Sequence, residues 1–341
     1  MSSTARAGRA AGGAAFLATA VFLTACGGQQ ASPISAIPQS SIPQSLTMGN
    51  LRAVNSPYVR VLADGSIVHV HPLPQDRAAF EAANPALPDH VEYHNGSIVK
   101  LAALYAIYWQ PTGSYMSPKY KPVINEYFKD VGTTKQYKIL AQYSDKNSHI
   151  LNTSNFGGSW TDTAPYPKDF NNGNTGDKDL HAEVLKAIAK NHWPAGGYAP
   201  IFVIFTASQS PADGWAACAY HGSFAKSSAT YAYAIVPYQH DFGPMGCGTP
   251  SKVWPNDRDA DQTIDTLWHE QAEATSDPNT SGTPNTGGWY SNVSGREIGD
   301  LCQTSYGKLR SDGSDTTLHD HNYVTQEMWS NLGYTCLQTA K

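Results

Sequence analysis

The sequence predicts a mixed α/β domain, a sheet with helices packed on it, and three observations predict it. Two uninterrupted apolar runs, Ile98 to Trp109 and Pro200 to Phe205, read as strands buried on both faces. Segments with helical periodicity lie between and after them, and strands alternating with helices are the pattern of an α/β or α+β sheet. Four cysteines, Cys218, Cys247, Cys302 and Cys336, fall in the second half of the chain, an even number that suits two disulfides in an exported protein.

The chain opens with Arg6 and Arg9, then an apolar run from Ala10 to Ala25. This is expected to be a signal peptide, residues 1–25, too short and wrongly flanked for a spanning helix. It ends in Leu23-Thr24-Ala25-Cys26, which resembles the lipobox of bacterial lipoproteins and makes Cys26 a candidate lipidated residue. Ordinary cleavage nearby, with Cys26 incidental, is the competing reading. Residues 26–56 carry a repeated Ile-Pro-Gln-Ser and little apolar content, as expected of a lipid-anchored flexible tether. The 57–94 segment is read as an N-terminal extension, in which Ser66 to His71 alternates like a short strand and Gln75 to Ala83 suits a helix.

The main domain is expected over 95–341. After the first buried strand, Ser117-Pro118 looks like an N-cap with proline at the first helical position. Val123, Ile124, Tyr127 and Phe128 form the stripe that follows. Leu180, Val184, Ala187 and Ile188 mark a second helix, stopped near Pro194, and Tyr231 to Val236 reads as a third strand. Proximity favours Cys218–Cys247 and Cys302–Cys336. No Cys-x-x-Cys spacing supports a cysteine zinc site.

Formal net charge is −5, and loss of Arg6 and Arg9 takes the mature chain to about −7, so nucleic acid is not an expected partner. The only expected membrane contact is the lipid anchor. There is no Gly-x-Ser-x-Gly elbow and no phosphate-cradling glycine loop.

The most informative stretch is His269-Glu270-Gln271-Ala272-Glu273-Ala274-Thr275-Ser276-Asp277-Pro278. Asp257, Asp259 and Asp261 favour the positive end of a helix starting just before it. Ile264, Leu267, Trp268 and Ala272 form the buried stripe, and Asp277-Pro278 ends the helix. Positions i and i+4 share a face, so His269 and Glu273 can grip one ion, with Glu270 leaning over it. This resembles the His-Glu-x-x-His helix of zinc peptidases, with Glu in place of the second His, and implies a zincin-like domain.

Metal-assisted hydrolysis needs three protein ligands and a carboxylate base. The expected metal ligands are His269, Glu273 and Glu297, the last at a separation similar to the third glutamate of thermolysin-like enzymes. Glu270 is the expected catalytic base, with Asp277 and Asp300 as outer supports of the ligands. Zinc is the expected cofactor, with calcium or manganese as alternatives because the set is rich in carboxylate. An exposed polar helix face is the bland alternative for the motif. His319-Asp320-His321 reads as a polar turn before it reads as a metal pair, and His221 and His240 as hydrogen-bonded loop residues.

The run 269–278, then Gly288-Trp289-Tyr290 and Glu297-Ile298-Gly299-Asp300-Leu301-Cys302, resembles the phosphate-induced protein (exordium-like) family. Tyr105 to Trp109, Ile201 to Ala207, Cys218 to Ser223 and Gln326 to Cys336 extend the likeness in order over about 95–336. The resemblance implies an exported or cell-wall-associated protein. Many plant members of that family lack the His-Glu pair that this chain carries, a departure that favours an active metal site here. The expectation is an exported metal-dependent hydrolase, a lipoprotein or a secreted protein, acting on a peptide or cell-wall substrate. Its rival is a non-catalytic envelope module with a structural cation.

Overall fold

The computed structural model describes residues 56–62, 64–85, 89–168, 170, 177–211, 217–280 and 287–340. The expected signal peptide, Cys26 and the tether up to residue 55 lie outside the described residues. Seven strands form one sheet: β1 (Val59–Val61), β2 (Ile67–Pro72), β4 (Ala102–Trp109), β5 (Ser154–Asp162), β6 (Gly197–Thr206), β7 (Ala217–Lys226) and β8 (Ala229–Val236). Their order is β1-β2-β7-β8-β6-β4-β5. The β8-β6-β4-β5 half is parallel, and β7, β2 and β1 add to it antiparallel. The mixed α/β class expected from the sequence is what forms.

Alternation along the parallel strands shows why they read as continuous apolar runs. Leu104, Ala106 and Tyr108 of β4 enter one core cluster, while Tyr105, Ile107 and Trp109 enter the other. Ile201, Val203 and Phe205 of β6 alternate with Phe202 and Ile204 in the same way. Both faces are covered, so neither register position is polar. One face receives α3 (Lys178–Asn191) through Leu180, Val184, Ala187 and Ile188. The other receives α2 (Tyr120–Asp130) and α4 (Arg258–Ser276). Small residues at Ala219, Ala232 and Ala234 line the sheet on that side, leaving room for α4 to lie close.

The 57–94 segment does not stand apart from the main domain. Its β2 pairs with β7, with His69 opposite His221 and His71 opposite Ala219, so it completes the sheet. Helix α1 (Pro74–Ala83) follows, within a residue of the expected span. The expected cap of α2 is displaced: the helix begins at Tyr120 without a side-chain cap. Ser117 instead donates its hydroxyl to Asp257 Oδ2 at 2.7 Å, tying the start of α2 to the start of α4.

Helix α4 is capped by Asp257, whose Oδ1 accepts from the Ala260 amide at 3.1 Å. Asp277 ends it ahead of Pro278, as expected. Trp268 is fully buried and packs near Tyr137, a contact contributing on the order of 2–3 kcal/mol of hydrophobic burial. Four short strands flank the site: β3 (Glu92–Tyr93) pairs with β9 (Trp289–Tyr290), and β12 (Met328–Ser330) with β13 (Thr335–Leu337). Both expected disulfides are present, Cys218–Cys247 and Cys302–Cys336, with Cα separations of 5.8 and 5.7 Å. Among the described residues, no helix is long and apolar enough to cross a membrane.

Candidate metal centre

Every residue of α4 from Asp259 to Ser276 is buried. That disposes of the exposed polar face. A helix this polar survives burial only where its polar atoms find partners. His269, Glu270 and Glu273 face the antiparallel half of the sheet. On β2 the period of two sends Val68 and Val70 to one core and His69 and His71 to the opposite face. His221 of β7 stands beside His69, ring centroids 5.7 Å apart. The loop after β9 brings Glu297 and Asp300 from the remaining side. Four imidazoles and five carboxylates therefore converge, none more than 6 % exposed.

A first ligand set forms around His269. Gln326 donates its amide to the Gly299 carbonyl at 2.8 Å, which leaves Oε1 to face His269 Nδ1 at 3.1 Å. An acceptor there suits a proton on Nδ1 and leaves Nε2, facing inward, as the atom that would meet a cation. Nε2 lies 3.0 Å from Glu273 Oε2 and 3.3 Å from Asp300 Oδ1, without hydrogen-bond geometry. Glu273 Oε1 is held by the Gly299 and Asp300 amides, both at 3.0 Å, so Oε2 is free to face the imidazole. For bonds of roughly 2.0–2.1 Å, tetrahedral zinc sets its ligand atoms on the order of 3.3 Å apart. The observed separations are of that size.

The remaining residues continue the cluster. His221 Nδ1 faces Glu270 Oε2 at 3.1 Å, and its Nε2 lies 3.5 Å from Glu297 Oε2. His69 Nδ1 is 2.9 Å from the same Glu297 oxygen, again without hydrogen-bond geometry. Asp277 accepts from the Gly288 amide through Oδ1 at 2.6 Å, and its Oδ2 lies 3.9 Å from His69 Nε2. His71 stacks on His269 at 4.1 Å, and neither of its ring nitrogens has a hydrogen-bond partner. Glu270 Oε1 and both oxygens of Glu297 also lack one.

Among the described residues, no lysine or arginine pairs with any of these carboxylates. In the protein without a cation, burial and mutual repulsion push Glu270 and Glu297 well above the usual carboxylate range, and Glu273 up to about 7. Burial, reinforced by neighbouring imidazoles, holds His71 and His221 well below the usual histidine value. Burial also opposes charge on His269, but Glu273 and Asp300 outweigh it and raise that group. Ionising these carboxylates together inside the protein needs a positive charge that no side chain supplies, chemistry that suits a divalent cation.

Each expected ligand is in the cluster, with one exchange of place. Asp300, expected as an outer support, sits beside His269 and Glu273, while Glu297 faces His69 and His221. The 3-10 turn Asp300–Cys302 begins at Gly299 and aims Asp300 rather than Glu297 at α4. Asp277 lies on the Glu297 side with His69. His69 and His71 were not anticipated, although His-x-His on an alternating strand puts both rings on one face. His221 belongs to β7 and the cluster rather than to a loop. His319 and Asp320 do form the turn between β10 (Thr316–Leu318) and β11 (His321–Tyr323), and His240 bonds Asp259 at 2.7 Å.

No protein-family model matches the chain, and neither the curated proteins nor the solved structures compared with it include a match.

Proposed function

We propose that the protein is an exported, metal-dependent hydrolase, with His269, Glu273 and Asp300 holding a catalytic cation. The observation that carries this reading is the setting of His269, whose Nδ1 is held against Gln326 Oε1 at 3.1 Å while Nε2 lies 3.0 and 3.3 Å from two carboxylate oxygens in a buried site. The imidazoles favour zinc or another first-row transition metal over calcium, which prefers an all-oxygen shell. Such a cation acidifies water and polarises a carbonyl. The chain's own residues would do the rest. Glu270 Oε1, unpartnered and within the same cluster, is placed to accept a proton from water. His71, held neutral by burial and stacked against His269, has ring nitrogens available to a substrate oxygen.

Peptide bonds are the substrate class we favour, in keeping with the zincin-like helix, with cell-wall peptides included. The apolar leader, Cys26 and the two disulfides support export and a lipid anchor, and the exordium-like motif order supports a cell-envelope setting. Glu270→Gln is expected to keep the fold and bound zinc but lower hydrolysis of an unstructured protein substrate at least a hundredfold. Unchanged hydrolysis would remove Glu270 from this role.

A structural cation is the second reading, favoured by how deeply the ligands are buried, since structural sites are closed and catalytic ones keep an open position. Chelation separates the two. Loss of activity with the fold intact supports the hydrolase, whereas unfolding with no activity at any stage supports the structural site.

A further inference from the structure

We infer that the centre is built for two cations, the second held by His69, Asp277 and Glu297. This rests on the reading above, in which the first cation lies with His269, Glu273 and Asp300. The two sets share no residue. In the first, the inward atoms are His269 Nε2, Glu273 Oε2 and Asp300 Oδ1. In the second, Glu297 Oε2 lies 2.9 Å from His69 Nδ1 and Asp277 Oδ2 lies 3.9 Å from His69 Nε2, all of them buried.

Unpartnered buried atoms support the assignment. His69 Nδ1, Asp277 Oδ2 and both oxygens of Glu297 are buried without a hydrogen-bond partner, although His69 Nδ1 lies 2.9 Å from Glu297 Oε2. A cation among them would give these atoms the partner that burial requires. His221 lies between the two sets, its Nδ1 3.1 Å from Glu270 Oε2 and its Nε2 3.5 Å from Glu297 Oε2.

Charge argues the same way. One divalent cation offsets two of the five carboxylate charges, whereas two offset four and leave a residue that the protonated face of the imidazoles and backbone amides can hold. Two-metal sites hold their ions roughly 3.5–4 Å apart and clamp the attacking and leaving oxygens of a displacement. Glu270 lies near His269 and Glu273 of the first set and near His221, whose Nε2 lies 3.5 Å from Glu297 Oε2 of the second. It is therefore placed where water lying between the two sets would lose its proton.

The test is cation stoichiometry on the purified full-length protein, loaded with zinc or cobalt(II), desalted and analysed by mass spectrometry, with the cobalt spectrum as a second readout. The wild type is expected to retain two equivalents. His69→Ala and Glu297→Gln are each expected to retain one and to lose one component of the cobalt spectrum. Glu273→Gln is expected to lose the other component. A wild type that retains a single equivalent, lost in Glu273→Gln but kept in His69→Ala, overturns the second site and leaves the proposed function standing. A wild type that retains none overturns both. The wild-type count decides the matter even if a variant fails to fold.

Discussion

A single methyl group at Gly299 should disable the centre without removing any ligand. Gly299 has φ −80° and ψ −41°, an ordinary right-handed conformation, so alanine there carries no backbone strain. Its Cβ would nevertheless lie 2.8 Å from both Glu273 Oε1 and His269 Nδ1. Ordinary contact begins near 3.4 Å, so the turn or both ligands must move by roughly 0.6 Å. Metal sites tolerate about 0.2 Å in ligand position, so the shift is several times what the site can absorb. The same turn donates the Gly299 and Asp300 amides to Glu273 and accepts from Gln326. Crowding costs about 1–3 kcal/mol, and weakening two charge-assisted hydrogen bonds adds a comparable amount.

Gly299→Ala is therefore expected to lose about 2–4 kcal/mol by urea denaturation and at least tenfold in zinc affinity by competition with a chelating dye. Gly307→Ala is the control, since its nearest contact would be 3.4 Å, and it should stay within about 1 kcal/mol of wild type. Wild-type zinc affinity in Gly299→Ala would refute the close approach of the 299–300 turn to α4 on which the site geometry depends.

Three further outcomes follow from the same structure. Gln326→Leu removes the acceptor that orients His269 and is expected to weaken zinc binding about 10–100-fold while the far-ultraviolet circular dichroism is unchanged; equal affinity would show that His269 needs no such support. Cys302→Ser with Cys336→Ser opens a loop of separation 34, worth roughly 4 kcal/mol of chain entropy, and should lower thermal stability and, through neighbouring Asp300, zinc affinity. His181, stacked on Phe224, is lowered to about 4 by burial. The unfolded chain then binds the extra proton first as pH falls below about 6.5, so stability is lost from there down to about 4 and not further. Because the ring is partly exposed, the loss is discounted to about 1–2 kcal/mol. His181→Asn should shrink the stability difference between pH 7.5 and 4.5 by that amount, and an unchanged difference would contradict the burial of this ring.

What could be read from the sequence was whatever depends on short spacing. Helix α4 declared itself through Asp257, the 264–272 stripe and Asp277-Pro278, and all of these act within one element. The buried parallel strands were visible because both faces are apolar. The disulfides were visible because their partners are close in the chain. His69 and His221 were not, because their pairing is a matter of strand register across 152 positions. Strand β7 hid itself further: Tyr220, His221, Gly222 and Ser223 mix polar and apolar residues, since one face of β7 meets the core and the other meets the centre. The choice between Glu297 and Asp300 was beyond spacing as well. They sit three residues apart in a tight turn, and only the turn's direction decides which faces His269. A signal for β2 did exist, since His69-Val70-His71 in an alternating run puts two imidazoles on one face. The same His-x-His spacing at His319-Asp320-His321 is a polar turn, as its sequence suggests, with left-handed His319 in a hairpin.

The glycines around α4 show how the centre and the fold depend on each other. A Cβ at Gly288 would lie 1.9 Å from the Ser276 carbonyl, and one at Gly287 would lie 3.0 Å from Asp277 Oδ2. Backbone is thus pressed onto the end of the helix to bring the 288–300 loop, with its two acids, against His269 and His221. Such packing surrounds repelling carboxylates with protein, and without a cation they must take up protons or swell apart. Cation binding and closure of this layer should therefore be linked, whichever function the centre serves. The two readings differ in how many groups they employ. A closed structural site is complete with four ligands. Here nine ionisable side chains converge, and His71 and Glu270 keep unpartnered atoms that closure does not need. Buried polar atoms left unsatisfied cost about 1–3 kcal/mol each, and on the proposed hydrolytic reading these are the atoms that would meet water and substrate.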